Sequence, residues 1–161
     1  MDAERDWEAE RASIAASAAG REALIAQSFA RIVGTGLVPA ACDVGAALWD
    51  LRAVVVAHGT ETDPLFFYGN RAALTLFGFP AARFVRLPSR LSAEAAGREA
   101  RAKLMARVER DNFVTGYAGV RISAKGARFR IEDATVWNLI DGSGALRGQA
   151  ATFSSWTALA D

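Results

Sequence analysis

The rhythm of apolar and polar positions changes twice along the chain. Through about residue 33 the sequence is alanine-rich and free of proline, and Leu24, Ile25, Phe29, Ile32 and Val33 recur at spacings of three and four, which predicts an amphipathic helix. Gly20 divides this stretch, so one long helix and two shorter ones both remain open. Gly34-Thr35-Gly36 and Pro39 end it, and Asp43 is placed to cap a short helix carrying Leu48 and Trp49. From residue 53 the rhythm becomes that of strands. Ala53-Val54-Val55-Val56-Ala57 is an unbroken apolar run, which predicts a strand covered on both faces. A polar turn, His58 to Pro64, leads into a second strand, Leu65-Phe66-Phe67-Tyr68. Asn70 caps, and Gly78 closes, a short helix over the residues between them.

Pro80 and Pro88 then punctuate a region of short turns before a long helix over 93–111, with Ala100, Leu104 and Val108 as its buried stripe. Three β-rich runs follow, 113–124, 127–140 and 145–154, separated by Lys125-Gly126 and by Asp141-Gly142-Ser143-Gly144. Glycine-bearing turns between such runs predict consecutive hairpins. Both faces of the 53–57 strand are apolar, yet the later helices can cover only one face of a sheet. The N-terminal helix is therefore expected on the outer face, within its own subunit or across a homodimer.

Composition narrows the function classes. A chain of 161 residues with 52% hydrophobic and 23% charged side chains fits one packed domain and excludes a disordered tail. Nineteen basic against 18 acidic residues give no global attraction to nucleic acid. A single cysteine, Cys42, cannot form an intramolecular disulfide. The acidic start lacks the pattern of a signal peptide, and no apolar stretch reaches the roughly 18 residues of a membrane span. A soluble, cytoplasmic protein is the expectation.

Candidate chemistry is sparse. Gly142, Gly144 and Gly148 are followed by a strand rather than a helix, which favours a hairpin turn over a phosphate loop. His58, the one histidine, has Glu61 and Asp63 nearby but no spacing that builds a metal site, and no serine sits in a nucleophile elbow. Basic residues gather between 83 and 130; on the long helix Glu94–Arg98 and Glu99–Lys103 have i,i+4 spacing, so Arg98, Arg101, Lys103 and Arg107 read as a solvated face. In the 127–140 strand, alternation groups Phe129, Ile131, Asp133, Thr135, Trp137 and Leu139 on one face, taken as the core face. An inward Asp133 needs a partner, such as Arg121, Arg90, a backbone amide or a ligand. A single β-bulge would reverse the assignment.

The order helix, β-β, short helices, long helix, β-β-β, with Phe67 to Gly78 as strand, Asn, small helix and Phe-Gly, resembles a PAS domain. The blocks AHGTETDPLFFYGNRAALTLFG (57–78), LPSRLSAE (87–94), GYAGVRISAKGARFRIEDATVWNLID (116–141) and GQAATFSSW (148–156) resemble the MEKHLA domain family, which comprises small bacterial proteins and the C-terminal domain of plant class III homeodomain–leucine zipper factors. No homeodomain or zipper is present, so the plant DNA-binding role does not carry over. The resemblance implies an α+β fold, a PAS-like five-stranded antiparallel sheet with helices on one face, spanning 37–157. An N-terminal helical extension over 1–36 precedes it, and a short tail over 158–161 follows. It implies a sensory or regulatory module that binds a small molecule between sheet and helices and acts through a protein partner or homodimer, with neither nucleic acid nor membrane as partner. The residues nominated for the ligand are His58, Tyr68, Asn70, Arg90, Arg121, Asp133, Thr135 and Trp137, with Asp133 foremost. No haem is expected, because 70–111 contains no histidine, and no covalently bound flavin, because Leu87-Pro88-Ser89-Arg90-Leu91 lacks the cysteine of the photoactive branch. The rival readings are a small enzyme using His58 or Asp133 for acid–base work and a ligand-free interaction module.

Overall fold

The computed structural model describes residues 4–39, 43–94 and 97–160; Cys42 lies outside them. The N-terminal stretch forms two helices, α1 (Trp7–Ala18) and α2 (Glu22–Val33). Ala19 and Gly20 both take the left-handed conformation between them, at φ 50° and 87°, which glycine adopts without a steric cost. Asp6 caps α1 by accepting from the Ala9 amide, and Asp43 caps α3 (Val44–Asp50) by accepting from Ala46. Strands β1 (Val54–His58) and β2 (Phe66–Gly69) follow, then α4 (Arg71–Phe77), α5 (Ala81–Phe84) and a 3-10 turn at Ser89–Ser92. Helix α6 (Arg98–Asp111) precedes β3 (Phe113–Ile122), β4 (Arg128–Ile140), β5 (Leu146–Phe153) and β6 (Ser155–Ala158).

The sheet runs β2-β1-β5-β4-β3, antiparallel throughout, and β6 pairs with the first half of β4, where five strands were expected. Asn70 ties the sheet to the helices before and after it. Its amide donates to the carbonyls of Leu48 (3.0 Å) and Ala53 (2.8 Å), while its oxygen accepts from the Val55 and Ala73 amides. One side chain thus caps α4 and fixes where β1 begins.

Strand β4 departs from simple alternation. Its pairing with β3 shifts between Val114 and Tyr117 and again between Tyr117 and Gly119, and opposite the second shift Asp133 takes φ 50° and is exposed. An aspartate tolerates this conformation better than most residues. The bulge rotates everything after it. Phe129 and Ile131 share the inner face with Val136 and Asn138, whereas Thr135, Trp137 and Leu139 turn to the outer face. The expected inward orientation of Asp133 is thereby corrected.

The outer face is covered within the same chain by α1 and α2. Ser28 Oγ accepts from the Ile140 amide at 3.0 Å, Ser17 Oγ donates to the Phe67 carbonyl at 2.8 Å, and Phe29 meets Trp137 edge-on at 4.8 Å. Trp137 is wholly buried there, and a buried aromatic of this size contributes about 2–3 kcal/mol. On the inner face Phe84 stacks on Phe66 at 4.5 Å over Gly69, where a Cβ would sit 2.6 Å from the Phe84 ring.

Helix α6 packs through Leu104 and Val108, but Ala100 is exposed and Arg101 is partly buried in its place. Glu99 and Lys103 pair at 3.7 Å; Glu94 instead pairs with Arg128 at 3.5 Å, and Arg98 donates to the Ala93 carbonyl.

Candidate functional site

Between the inner face of the sheet and α6 lies a small cavity of about 40 Å³, room for roughly three waters. Its walls are mostly apolar, with Val56, Leu104, Ile131, Val136, Ala150 and Phe153 among them. A larger pocket of about 290 Å³ shares His58, Arg101, Met105 and Gln149 with it and adds Glu61 and Glu109. Those four side chains therefore form the wall at which the two spaces meet.

The polar members of the inner cavity arrive from five elements: β1, the 3-10 turn, α6, β3 and β5. Arg101 stands one turn before Leu104 and Met105 on α6, so the helical repeat aims it at the sheet. It has no hydrogen bond or ion pair to any described side chain. Burial, and then the neighbouring charge of Arg121, lower its pKa to about 10, which leaves it cationic at neutral pH. Arg121, 8% exposed, projects from β3; it donates to the Val120 carbonyl (2.9 Å) and to Tyr117 Oη (3.1 Å). Gly119 makes room for this pair, because a Cβ there would collide with Tyr117 Oη.

His58 closes β1 and is also 8% exposed. Its Nδ1 lies 3.0 Å from the Gly59 carbonyl, which only accepts, so in the neutral ring Nδ1 carries the proton and Nε2 keeps its lone pair. Nε2 is buried without a hydrogen-bond partner among the described residues. Burial holds the ring pKa down at about 4, opposed by the Gly59 carbonyl and by Glu61 and reinforced by Arg101. Gly148, at φ 149°, lets β5 pass against the His58 backbone, since a Cβ there would strike its carbonyl oxygen. None of the cavity's described lining residues is a carboxylate, and no three described His, Cys, Asp or Glu side chains are grouped to hold a metal ion.

A polar clamp joins this cavity to α6. Gln149 Nε2 donates to the Met105 carbonyl (3.0 Å) and to Asn138 Oδ1 (3.2 Å), while Asn138 Nδ2 donates to the Val108 carbonyl (2.9 Å). Both amides are buried.

Of the eight residues nominated from the sequence, His58 and Arg121 meet at this cavity and six do not. Tyr68 lies under α1 and α2 on the outer side, against Ile14 and Trp49, with burial raising its phenol pKa. Asn70 is consumed by the cap described above. Arg90 is half-exposed and pairs with Asp63 at 3.0 and 3.2 Å. Asp133 faces water at the bulge, and Thr135 and Trp137 lie beyond it on the outer face. Arg101, Tyr117, Asn138 and Gln149 were missed; the spacing 101, 104, 105, 108 was the available signal for the first.

The MEKHLA domain model matches residues 19–158, from before α2 to the end of β6. The chain belongs to the MEKHLA domain family. No curated protein sequence matches it. Among solved structures, it is similar to the PAS domain of a protein from Colwellia psychrerythraea, at 15% identity and TM-score 0.58 over 66% of this chain and 88% of that one. A light-oxygen-voltage domain studied with a flavin analogue matches at 17% identity and TM-score 0.59, over 75% of this chain and 87% of that one. An RNA-binding light-oxygen-voltage receptor matches at 21% and 0.60 over 73% of this chain, which spans 34% of that receptor. These likenesses show that this MEKHLA domain has the PAS-like fold. Among its described residues no helix is long and apolar enough to cross a membrane.

Proposed function

We propose that this MEKHLA domain is a small-molecule sensor whose ligand enters the cavity between sheet and α6, and that occupancy is passed to a partner protein or a second copy. The observation that carries the reading is that His58 Nε2, buried without a hydrogen-bond partner among the described residues, and the partly buried Arg101, which pairs with no described side chain, line one mostly apolar space. An apolar pocket with a few placed polar groups is the common form of a small-molecule site. The PAS-like fold of the neighbours supports the same reading, as sensing is a usual task of that fold.

The output follows from the lining. Arg101 and Met105 belong to α6, and Gln149 holds that helix through the Met105 carbonyl while lining the same cavity. A ligand that engages Arg101 or displaces the Gln149–Met105 bond changes how α6 sits on the sheet, and α6 carries an exposed, charged outer face for a partner. Native mass spectrometry of freshly purified full-length protein tests the reading. The expected result is an added mass lost on collisional activation. Protein that carries no adduct, and is stabilised by no member of a small-molecule panel, overturns it.

A further inference from the structure

The cavity presents two guanidiniums and no anion. Arg101 comes from α6 and Arg121 from β3, and they line one space to which no described carboxylate contributes. Arg121 spends two of its donors on the Val120 carbonyl and the Tyr117 hydroxyl, both neutral, and Arg101 spends none on a described residue. Elsewhere several arginines do pair with carboxylates, as in Arg90–Asp63, Arg110–Asp111, Arg128–Glu94 and Arg147–Asp141. Holding two like charges near each other in an apolar space costs free energy unless an anion joins them. Apolar walls such as Val56, Ala150 and Phe153 disfavour a fully hydrated dianion, and the space is small. A planar carboxylate matches the fork of a guanidinium.

We propose that the inner cavity takes a small carboxylate, its oxygens held between Arg101 and Arg121 and its short apolar body against β1 and β5. This rests on the sensor reading above and names the ligand class for that site. His58 Nε2, an acceptor, is left for a hydroxyl or N–H donor on the same molecule, so a 2-hydroxy acid uses all three groups.

The test compares propionate, lactate, 1-propanol and inorganic phosphate as probes, by thermal shift and calorimetric titration at constant ionic strength. Full-length wild type, Arg101→Gln, Arg121→Lys and the remote control Arg90→Gln are each titrated. Propionate and lactate are expected to bind and stabilise wild type and Arg90→Gln, lactate the more tightly. Each cavity variant should bind them roughly ten- to a hundredfold more weakly, the effect of losing a charge-assisted contact. Without any probe, Arg101→Gln should melt no lower than wild type, since it removes a charge with no partner. An Arg101→Gln protein that fails to fold would show Arg101 to be structural and overturn the proposal. Stabilisation by 1-propanol as large as by propionate, or by phosphate alone, overturns it too. A retained neutral molecule that survives Arg101→Gln would refute the carboxylate while leaving the sensor reading intact. Wild type with no retained molecule and no response to any probe removes both.

Discussion

Acid should weaken this protein through His58. The ring's pKa is about 4 in the folded chain against about 6.5 when unfolded, because burial disfavours its charged form. Above pH 6.5 the ring is neutral in both states and adds no pH dependence. Between pH 6.5 and 4 the unfolded chain binds a proton that the folded chain refuses, so stability falls as the pH falls through that window. At about 1.4 kcal/mol per pH unit the full loss is about 3 kcal/mol, reached near pH 4. For a chain of this size that corresponds to a melting temperature lower by roughly 6–12 °C. Three groups bear on the ring besides burial: the Gly59 carbonyl and Glu61 favour its protonation, and Arg101 opposes it. The assay is a series of thermal melts between pH 7.5 and 4 on wild type and His58→Gln. Carboxylates titrate alike in both proteins, so the difference between the two pH profiles isolates the imidazole. Parallel profiles, or an imidazole midpoint near 6.5 by NMR of the folded protein, would refute a buried neutral ring.

Asn70→Ala should cost about 3–5 kcal/mol, because the Val55 and Ala73 amides and the Leu48, Leu51 and Ala53 carbonyls lose its bonds at once. Urea denaturation with an unchanged m-value measures it, and a loss under about 1 kcal/mol would mean water replaces the side chain. Asp133→Gly should be neutral or stabilising by up to about 1 kcal/mol, as glycine accepts φ 50° without strain, whereas Asp133→Val should cost about 1–2 kcal/mol. A glycine variant as damaged as the valine one would place a needed carboxylate contact at the bulge.

The elements were legible because their signals are local. Asn70 before a helix ending at Gly78 and the glycine turns at 126 and 142–144 each act within a few residues, whereas Gly20 left one helix or two open, and the left-handed break there decides for two. Covering of both faces of β1 followed from composition, and α1 and α2 do lie on the outer side. The orientation of the second half of β4 was not legible. Alternation has a period of two, so one extra residue moves every later side chain to the opposite face. Asp133 carries no sequence mark that separates it from an aspartate on a regular exposed strand. Trp137 consequently appeared to belong to the cavity, although it packs on Phe29 from the other side.

Arg101 went unseen for a different reason. It stands in a helix dense with charge, where a solvated face is the ordinary explanation, and Glu99–Lys103 does behave that way. Helical geometry nevertheless sorts those charges. Positions 101, 104, 105 and 108 form one stripe, and its other three members, Leu104, Met105 and Val108, are apolar. An arginine in an otherwise apolar stripe must snorkel, pair, or wait for a counter-charge. Here the stripe faces the sheet rather than solvent, and the sheet answers with Arg121, a second cation. Two arginines brought to one cavity by elements far apart in sequence, with no described carboxylate beside them there, are the observation on which the proposed carboxylate ligand rests.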